Sequence, residues 1–344
     1  MALVLALAVF LWGLGHVLKM PTSARILMLG LLYIAVLAAT IVLPIGHPLR
    51  EALGGSSMEW LVVGLLAALV WGYAKGLKRL RSYVRPENKA QTANGDSQTE
   101  LERNARHIVL REIGGPGQKR LKEARVLVIG AGGLGSPALQ YLAAAGVGTI
   151  GVIDDDVVEN SNLQRQVIHT DDSIGLPKVF SAERAMTRQN PFISVRPYNR
   201  RLTADIADKL FADYDLILDG TDDVETRYLV NETAVRAGIP LISAAISQWE
   251  GQISVFDPSR DAPCYACVFP NPAADGLAPS CAEGGVLGPL PGVIGAMMAV
   301  EAIKLIAGTG ENLMGRMLIY DALYSETRSI GVKRRSDCRV CSNL

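Results

Sequence analysis

The residues best suited to chemistry start at a glycine turn, Gly130-x-Gly132-Gly133-x-Gly135. They continue through Asp154-Asp155-Asp156, Ser161, Asn162, Arg165 and Lys178. Gly130 permits a tight turn, Gly132 and Gly133 let backbone approach a phosphate, and Gly135 permits close helix–strand packing. A helix leaving such a turn offers free N–H groups and the positive end of its dipole to an anion. Asp154, at the end of a second strand, is placed to accept from ribose hydroxyls. Arg165 and Lys178 fall in loops near the C-terminal strand edge, where they would neutralise charge developing on phosphoryl oxygens. For Asn162, Arg165 and Lys178 a solvated surface is the alternative. A dehydrogenase has no need of that Arg and Lys, so the pattern favours a nucleotide whose phosphates react. The run Leu218-Asp219-Gly220-Thr221-Asp222-Asp223 ends another apolar strand. There Asp222 or Asp223 offers oxygen to Mg²⁺ beside substrate phosphates, and Thr221 or Asp222 would equally cap a helix.

Cysteines form the second constellation. Cys264-x-x-Cys267 and Cys338-x-x-Cys341 have the spacing of metal ligands, and two such pairs read as one tetrahedral structural Zn²⁺ site. Redox pairs and disulfides are the alternatives; a cytoplasmic setting disfavours disulfides. The fifth cysteine, Cys281, lies in a Gly/Pro-rich stretch, 271–292. It is either a small buried residue or a thiol that can reach a reacting carbonyl.

The elements that must position these residues alternate from Arg125 onward. Strands are expected at 125–129, 149–154, 194–198, 216–219, 240–246, 252–257 and 317–321. Helices are expected at 136–145, 177–190, 204–212, 224–237 and 293–307. This order predicts an α/β fold, a Rossmann-like doubly wound mixed sheet with a C-terminal zinc-bound segment. A helix is expected over 99–110, with Thr99 as N-cap, broken by Gly114-Gly115-Pro116-Gly117.

The first part of the chain differs. Apolar runs at about 2–18, 26–45 and 58–76 predict three transmembrane helices in a membrane region, 1–81. Lys19 and Arg25 flank the first loop, and Lys75, Lys78, Arg79, Arg81 and Arg85 follow the third run. By the positive-inside rule the segment after them faces the cytoplasm. The expected location is the inner (cytoplasmic) membrane, multi-pass, with a catalytic domain, 99–344, in the cytoplasm behind a flexible linker, 82–98. The 34 basic and 34 acidic residues balance, so charge gives no argument for a nucleic-acid partner.

From about residue 100 to 344 the chain resembles the MoeB/ThiF family, relatives of the ubiquitin-activating enzymes. The resemblance is carried by Arg106, GAGGLGSP, DDDVVENSNLQRQ, GLPK, LDGTDD, EGQISVF, PCYACVFP, SCAEGGVLGPLPGVIG and CRVC. It implies ATP-dependent adenylation of the C-terminal Gly-Gly carboxylate of a small ubiquitin-like sulfur carrier. That carrier is MoaD-like, in molybdopterin cofactor biosynthesis, or ThiS-like, in thiamine biosynthesis. It implies that Gly133, Asp154, Asn162, Arg165, Lys178 and Asp222 contact ATP or its Mg²⁺. It also implies that Arg106 reaches the partner subunit's ATP in a homodimer, and that Zn²⁺ sits on Cys264, Cys267, Cys338 and Cys341. Cys281 matches a position used by some relatives for a covalent thiol step. With no rhodanese segment after CRVC, a separate sulfur donor is expected. Three features depart from the family: Asp223 replaces the usual Asn, Asn104-Ala105 replaces an aromatic near Arg106, and the N-terminal apolar region lies outside the family core. A NAD-dependent oxidoreductase would explain the turn and Asp154 alone, and a non-catalytic membrane-tethered scaffold would not require Arg165, Lys178 and Asp222.

Overall fold

The computed structural model describes residues 2–18, 20, 22–44, 46–83, 98–272 and 284–344. The chain divides into two compact units, Met1–Thr92 and Ala93–Leu344.

The first unit is helical: α1 (Ala2–Val17), α2 (Thr22–Val42), α3 (Pro48–Leu53) and α4 (Ser57–Tyr83). Its small interior is made by Val4, Val36 and Trp60. Tyr33 Oη donates to the Trp60 carbonyl at 2.8 Å, and Trp60 Nε1 donates to the Gly54 carbonyl at 2.9 Å. Gly64 makes this possible, because a Cβ there would stand 2.0 Å from Tyr33 Oη. Leu27, Leu31, Ile34 and Ile41 instead point outward and are exposed.

Among the described residues two helical stretches are long and apolar enough to cross a membrane, Ala24–Val42 and Pro289–Ala307. The second is half-buried inside the other unit, so one of the three expected spans meets the test. With 16 residues, α1 reaches only about 24 Å at 1.5 Å per residue, short of a hydrocarbon core of about 30 Å. The third expected run, 58–76, includes positions 67, 68, 71 and 74–76, whose side chains lie outside the described residues. The linker expectation, 82–98, likewise falls mostly on 84–97, outside the described residues.

The second unit opens with α5 (Gln98–Ile108) and α6 (Gly114–Glu123). Thr99 lies within α5. The Gly-Gly-Pro-Gly run starts α6 rather than breaking structure: Gly114 takes φ +59°, and Pro116 fits a first helical turn, where no intrahelical N–H bond is needed. Then come β1 (Arg125–Ile129), α7 (Gly135–Ala144), β2 (Thr149–Ile153), α8 (Lys178–Gln189), β3 (Ser194–Tyr198), α9 (Ala204–Phe211), β4 (Leu216–Asp219), α10 (Val224–Ala237) and β5 (Leu241–Ile246). The remainder is β6 (Glu250–Phe256), α11 (Tyr265–Val268), α12 (Pro289–Ala307), β7 (Arg316–Asp321) and β8 (Glu326–Gly331).

One sheet holds all eight strands in the order β3-β2-β1-β4-β5-β6-β7-β8. Pairing is parallel from β3 to β5 and antiparallel from β5 to β8. Alternation along β1 builds two cores. Val126 and Val128 face Leu139, Met186 and Met298; Leu127 and Ile129 face Phe211, Ile217 and Ile153. The edge strand β8 is exposed along its whole length, which removes the alternation that would announce it. The strand order reverses between β1 and β4, the place where open α/β sheets leave a crevice for ligands.

Gly295 brings α12 onto the start of α7. A Cβ there would lie 2.3 Å from the Leu134 carbonyl and 2.4 Å from Pro137. Gly295→Val is therefore expected to destabilise the protein by about 1–3 kcal/mol through overpacking. Calorimetry checks this; an unchanged melting temperature would show that α12 shifts freely.

Candidate active site and metal centre

The glycine turn lies between the ends of β1 and β4, backbone against backbone. Gly130 has φ +89°, and a Cβ on it would stand 3.2 Å from the Gly220 carbonyl. A Cβ on Gly135 would stand 1.9 Å from the Gly130 carbonyl. The turn is held from β2 by Asp154, whose Oδ2 accepts from Ala131 N at 2.7 Å and whose Oδ1 accepts from Asp156 N at 2.8 Å. Burial pushes the Asp154 carboxyl up from the ordinary carboxylate range, while the Lys178 ammonium and these two N–H donors oppose it.

The loop after β2 folds over the turn. Residues Asn160–Asn162 make a 3₁₀ turn in which Asn162 Oδ1 accepts from Glu159 N at 3.2 Å. Ser161 Oγ donates to Glu159 at 3.3 Å, and the Ser161 carbonyl accepts from Arg165 Nη1 at 3.0 Å. Arg165 Cδ lies 3.9 Å from the place a Gly133 Cβ would occupy, and the same test puts Gln166 Nε2 3.7 Å from Gly132. Lys178 opens α8. Its Nζ pairs with Asp156 at 2.6 Å, with the lysine buried and the aspartate exposed. The structure thus gathers Gly130, Gly132, Gly133, Asp154, Arg165 and Lys178 at one strand edge.

The end of β4 differs from expectation. Asp223, not Thr221 or Asp222, caps α10: its Oδ2 accepts from Thr226 N at 3.0 Å and pairs with Arg201 at 2.8 Å. Those bonds hold the Asp223 carboxyl below the usual range, first through Thr226. Asp223 thus has a structural role at the start of α10, and Asp222 is the carboxylate exposed beside it.

The roles of Asp219, Arg227 and His169 left no signal in the sequence. Asp219 is fully buried; it accepts from Ser243 Oγ at 2.8 Å and pairs with buried Arg227 at 3.4 Å. Arg227 also donates to the Ala244 carbonyl at 2.9 Å and to the Thr221 carbonyl, fixing the loop of Asp222. His169, also buried, bridges the Ala131 carbonyl and Ser181. Arg106 is exposed on α5. Cys281 lies outside the described residues.

The four remaining cysteines come together and are buried. Sγ–Sγ separations are 3.8 Å for Cys264–Cys267, 3.6 Å for Cys264–Cys338 and 3.4 Å for Cys267–Cys341. A disulfide needs about 2.05 Å, and all four are free thiols. A tetrahedron of zinc–sulfur bonds of about 2.3 Å has edges near 3.8 Å, so the donor set fits Zn²⁺. Burial pushes Cys341 up to about 11 and Cys264 higher still. Burial also raises Cys338, but hydrogen bonds from the Val340 and Cys341 N–H groups and from the Cys267 and Cys264 thiols together outweigh it and bring that thiol to about 7. The backbone N–H of Arg335 donates to Cys267 Sγ at 3.4 Å.

Fold and site together define an α/β protein of Rossmann type, with a glycine turn at the strand switch and a tail held by four clustered cysteines. The ThiF family model matches residues 104–340, and the chain belongs to the ThiF family. A Thermus thermophilus relative named sulfur carrier protein adenylyltransferase is 47% identical over 248 residues, covering 71% of this chain and 92% of that protein. The probable adenylyltransferase/sulfurtransferase MoeZ of Mycobacterium tuberculosis is 52% identical over 249 residues, 71% of this chain but only 63% of MoeZ. A crystal structure of E. coli MccB with ATP superposes with a TM-score of 0.59 at 26% identity, covering 66% of this chain and 70% of that one.

Elemental analysis of purified protein is expected to find about one zinc per chain. Chelation should lower its melting temperature, as for metal sites coupled to folding. Zinc-free native protein whose four thiols all react with a thiol reagent would refute the assignment.

Proposed function

We propose that this chain adenylates the C-terminal Gly-Gly carboxylate of a small ubiquitin-like sulfur carrier. The observation that carries the reading is the convergence of Arg165 and buried Lys178 on the glycine turn, beside Asp154. The names of the relatives support it. In this reading the carrier carboxylate, already ionised at neutral pH, attacks the α-phosphorus of ATP. The new O–P bond forms as the bond to pyrophosphate breaks, giving an acyl adenylate. No proton transfer is required. Arg165 and Lys178 neutralise charge on the phosphate oxygens, the turn's N–H groups bind phosphate, and Asp154 holds the ribose. Exposed Asp222 is suited to hold Mg²⁺, a cation that favours carboxylate oxygen and would screen the phosphates. Arg106, exposed on α5, is free to serve the partner subunit's ATP in a homodimer. Gly130, Gly132, Gly133, Ser161 and Asn162 shape the pocket. We propose a MoaD-like carrier of molybdopterin biosynthesis; a ThiS-like carrier would undergo the same chemistry. Cys281 then acts after adenylation.

The first unit is proposed as a membrane tether built around Ala24–Val42, whose outward apolar side chains suit lipid. The catalytic unit would sit on the cytoplasmic side, with ATP and reduced thiols.

Arg165→Ala should lower carrier-dependent ATP–pyrophosphate exchange by about 10²–10³, the typical cost of one preorganised charge contact. Exchange near the wild-type rate would remove Arg165 from the mechanism. Full-length protein should resist extraction from membranes at alkaline pH, while a chain beginning at Thr99 should be soluble and active. Release of the full-length chain by the alkaline wash would sink the tether.

A further inference from the structure

We propose that His169 is a positioning residue for the phosphate turn: it sets the Ala131–Gly132 peptide so that the Gly132 N–H faces the nucleotide phosphates. The inference rests on the reading that the turn binds ATP.

The Ala131 peptide groups are held on both sides. The Ala131 N–H is spent on Asp154 Oδ2 at 2.7 Å. The Ala131 carbonyl points into the protein, where it accepts from His169 Nε2 at 3.0 Å and from Ser136 Oγ at 3.3 Å. A peptide unit is planar and trans, so its N–H points opposite to its C=O. An inward Ala131 carbonyl therefore turns the Gly132 N–H outward, away from His169 and Ser136. His169 touches no ligand in this arrangement; it acts through one carbonyl.

The hydrogen-bond roles around the ring follow from the acceptor. A carbonyl only accepts, so Nε2 carries the proton. In the neutral ring Nδ1 then accepts, and the hydroxyl of Ser181, 2.9 Å away, donates to it. His169 and Ser181 are both buried, which keeps water from competing for either bond. Burial and the Lys178 charge both favour the neutral ring. Ser181 lies on α8, three residues after Lys178. A single imidazole thus ties the glycine turn to the helix whose first residue is Lys178. Because Ser136 shares the carbonyl, losing His169 should misdirect the peptide without unfolding the turn.

The test measures ATP and adenosine affinities of the full-length protein by competition against a fluorescent ATP analogue. Adenosine lacks phosphate and so does not use the Gly132 N–H. His169→Leu is expected to weaken ATP binding about tenfold, the order of one lost buried hydrogen bond, and to leave adenosine within about twofold. His169→Gln, whose amide can donate to the same carbonyl, should recover most of the ATP affinity. Ser181→Ala, which keeps the imidazole but frees its tautomer, should weaken ATP about threefold on the same scale. His169→Leu with unchanged ATP affinity, equal losses for ATP and adenosine, or no recovery with glutamine would each overturn the proposal. If His169→Leu does not fold, Ser181→Ala decides it: wild-type ATP affinity, or equal losses for ATP and adenosine, in that variant overturns it. Wild-type protein that binds adenosine and ATP equally weakly would instead defeat the nucleotide reading beneath it.

Discussion

The structure depends on a meeting of bare backbone. Where β1 and β4 end, Gly130 and Gly220 lie against each other, and Gly135 closes on the Gly130 carbonyl. No Cβ fits between Gly135 and that carbonyl. This absence lets α7 start directly under the turn and lets the adjacent loops approach it. Every other part of the candidate site is organised around that edge: the 160–166 loop lies over it, α12 leans on it through Pro291 and Gly295, and α8 delivers Lys178 beside it.

Glycine turns are soft, so something else must make this one rigid. Buried polar groups do so. Asp154 and His169 hold opposite sides of Ala131, and Asp219 with Arg227 fastens the loop after β4. Buried ion pairs are poor sources of net stability, because desolvation offsets their attraction. Arg227 reaches Ser243, the Ala244 carbonyl and the Thr221 carbonyl as well as Asp219. Its value is geometric: one guanidinium fixes the direction of a loop that carries an exposed carboxylate. The Cys₄ cluster is the same device at larger scale, seating residues 338–341 against α11.

Much of this was legible in the sequence, for a physical reason. The turn, the strand before it, the helix after it and Asp154 form one local unit, so their spacing encodes their geometry. Two CxxC pairs carry the same kind of information, because each pair is preset for a metal by a short turn. What the sequence hid was whatever depends on distant partners. Nothing local marks Arg227 or His169, whose partners Ser243 and Ala131 lie 16 and 38 residues away. The α10 cap fell on Asp223 rather than its neighbours, a choice made by Arg201 and Thr226. Residues of β8 show no alternation because both of its faces meet solvent. Apolar content misled most in α1: a helix counted as a span is too short to be one.

The cysteine cluster also sets a clock. Its halves are 74 residues apart. At a synthesis rate of about 5–20 residues per second, Cys264 and Cys267 leave the ribosome about 4–15 s before Cys338 and Cys341 can join them. For that interval the nascent chain carries an open dithiol, able to capture a stray metal or to oxidise. Biogenesis of this protein is therefore most exposed to redox stress while β7 and β8 are still being made, before the finished fold seals all four sulfurs from solvent.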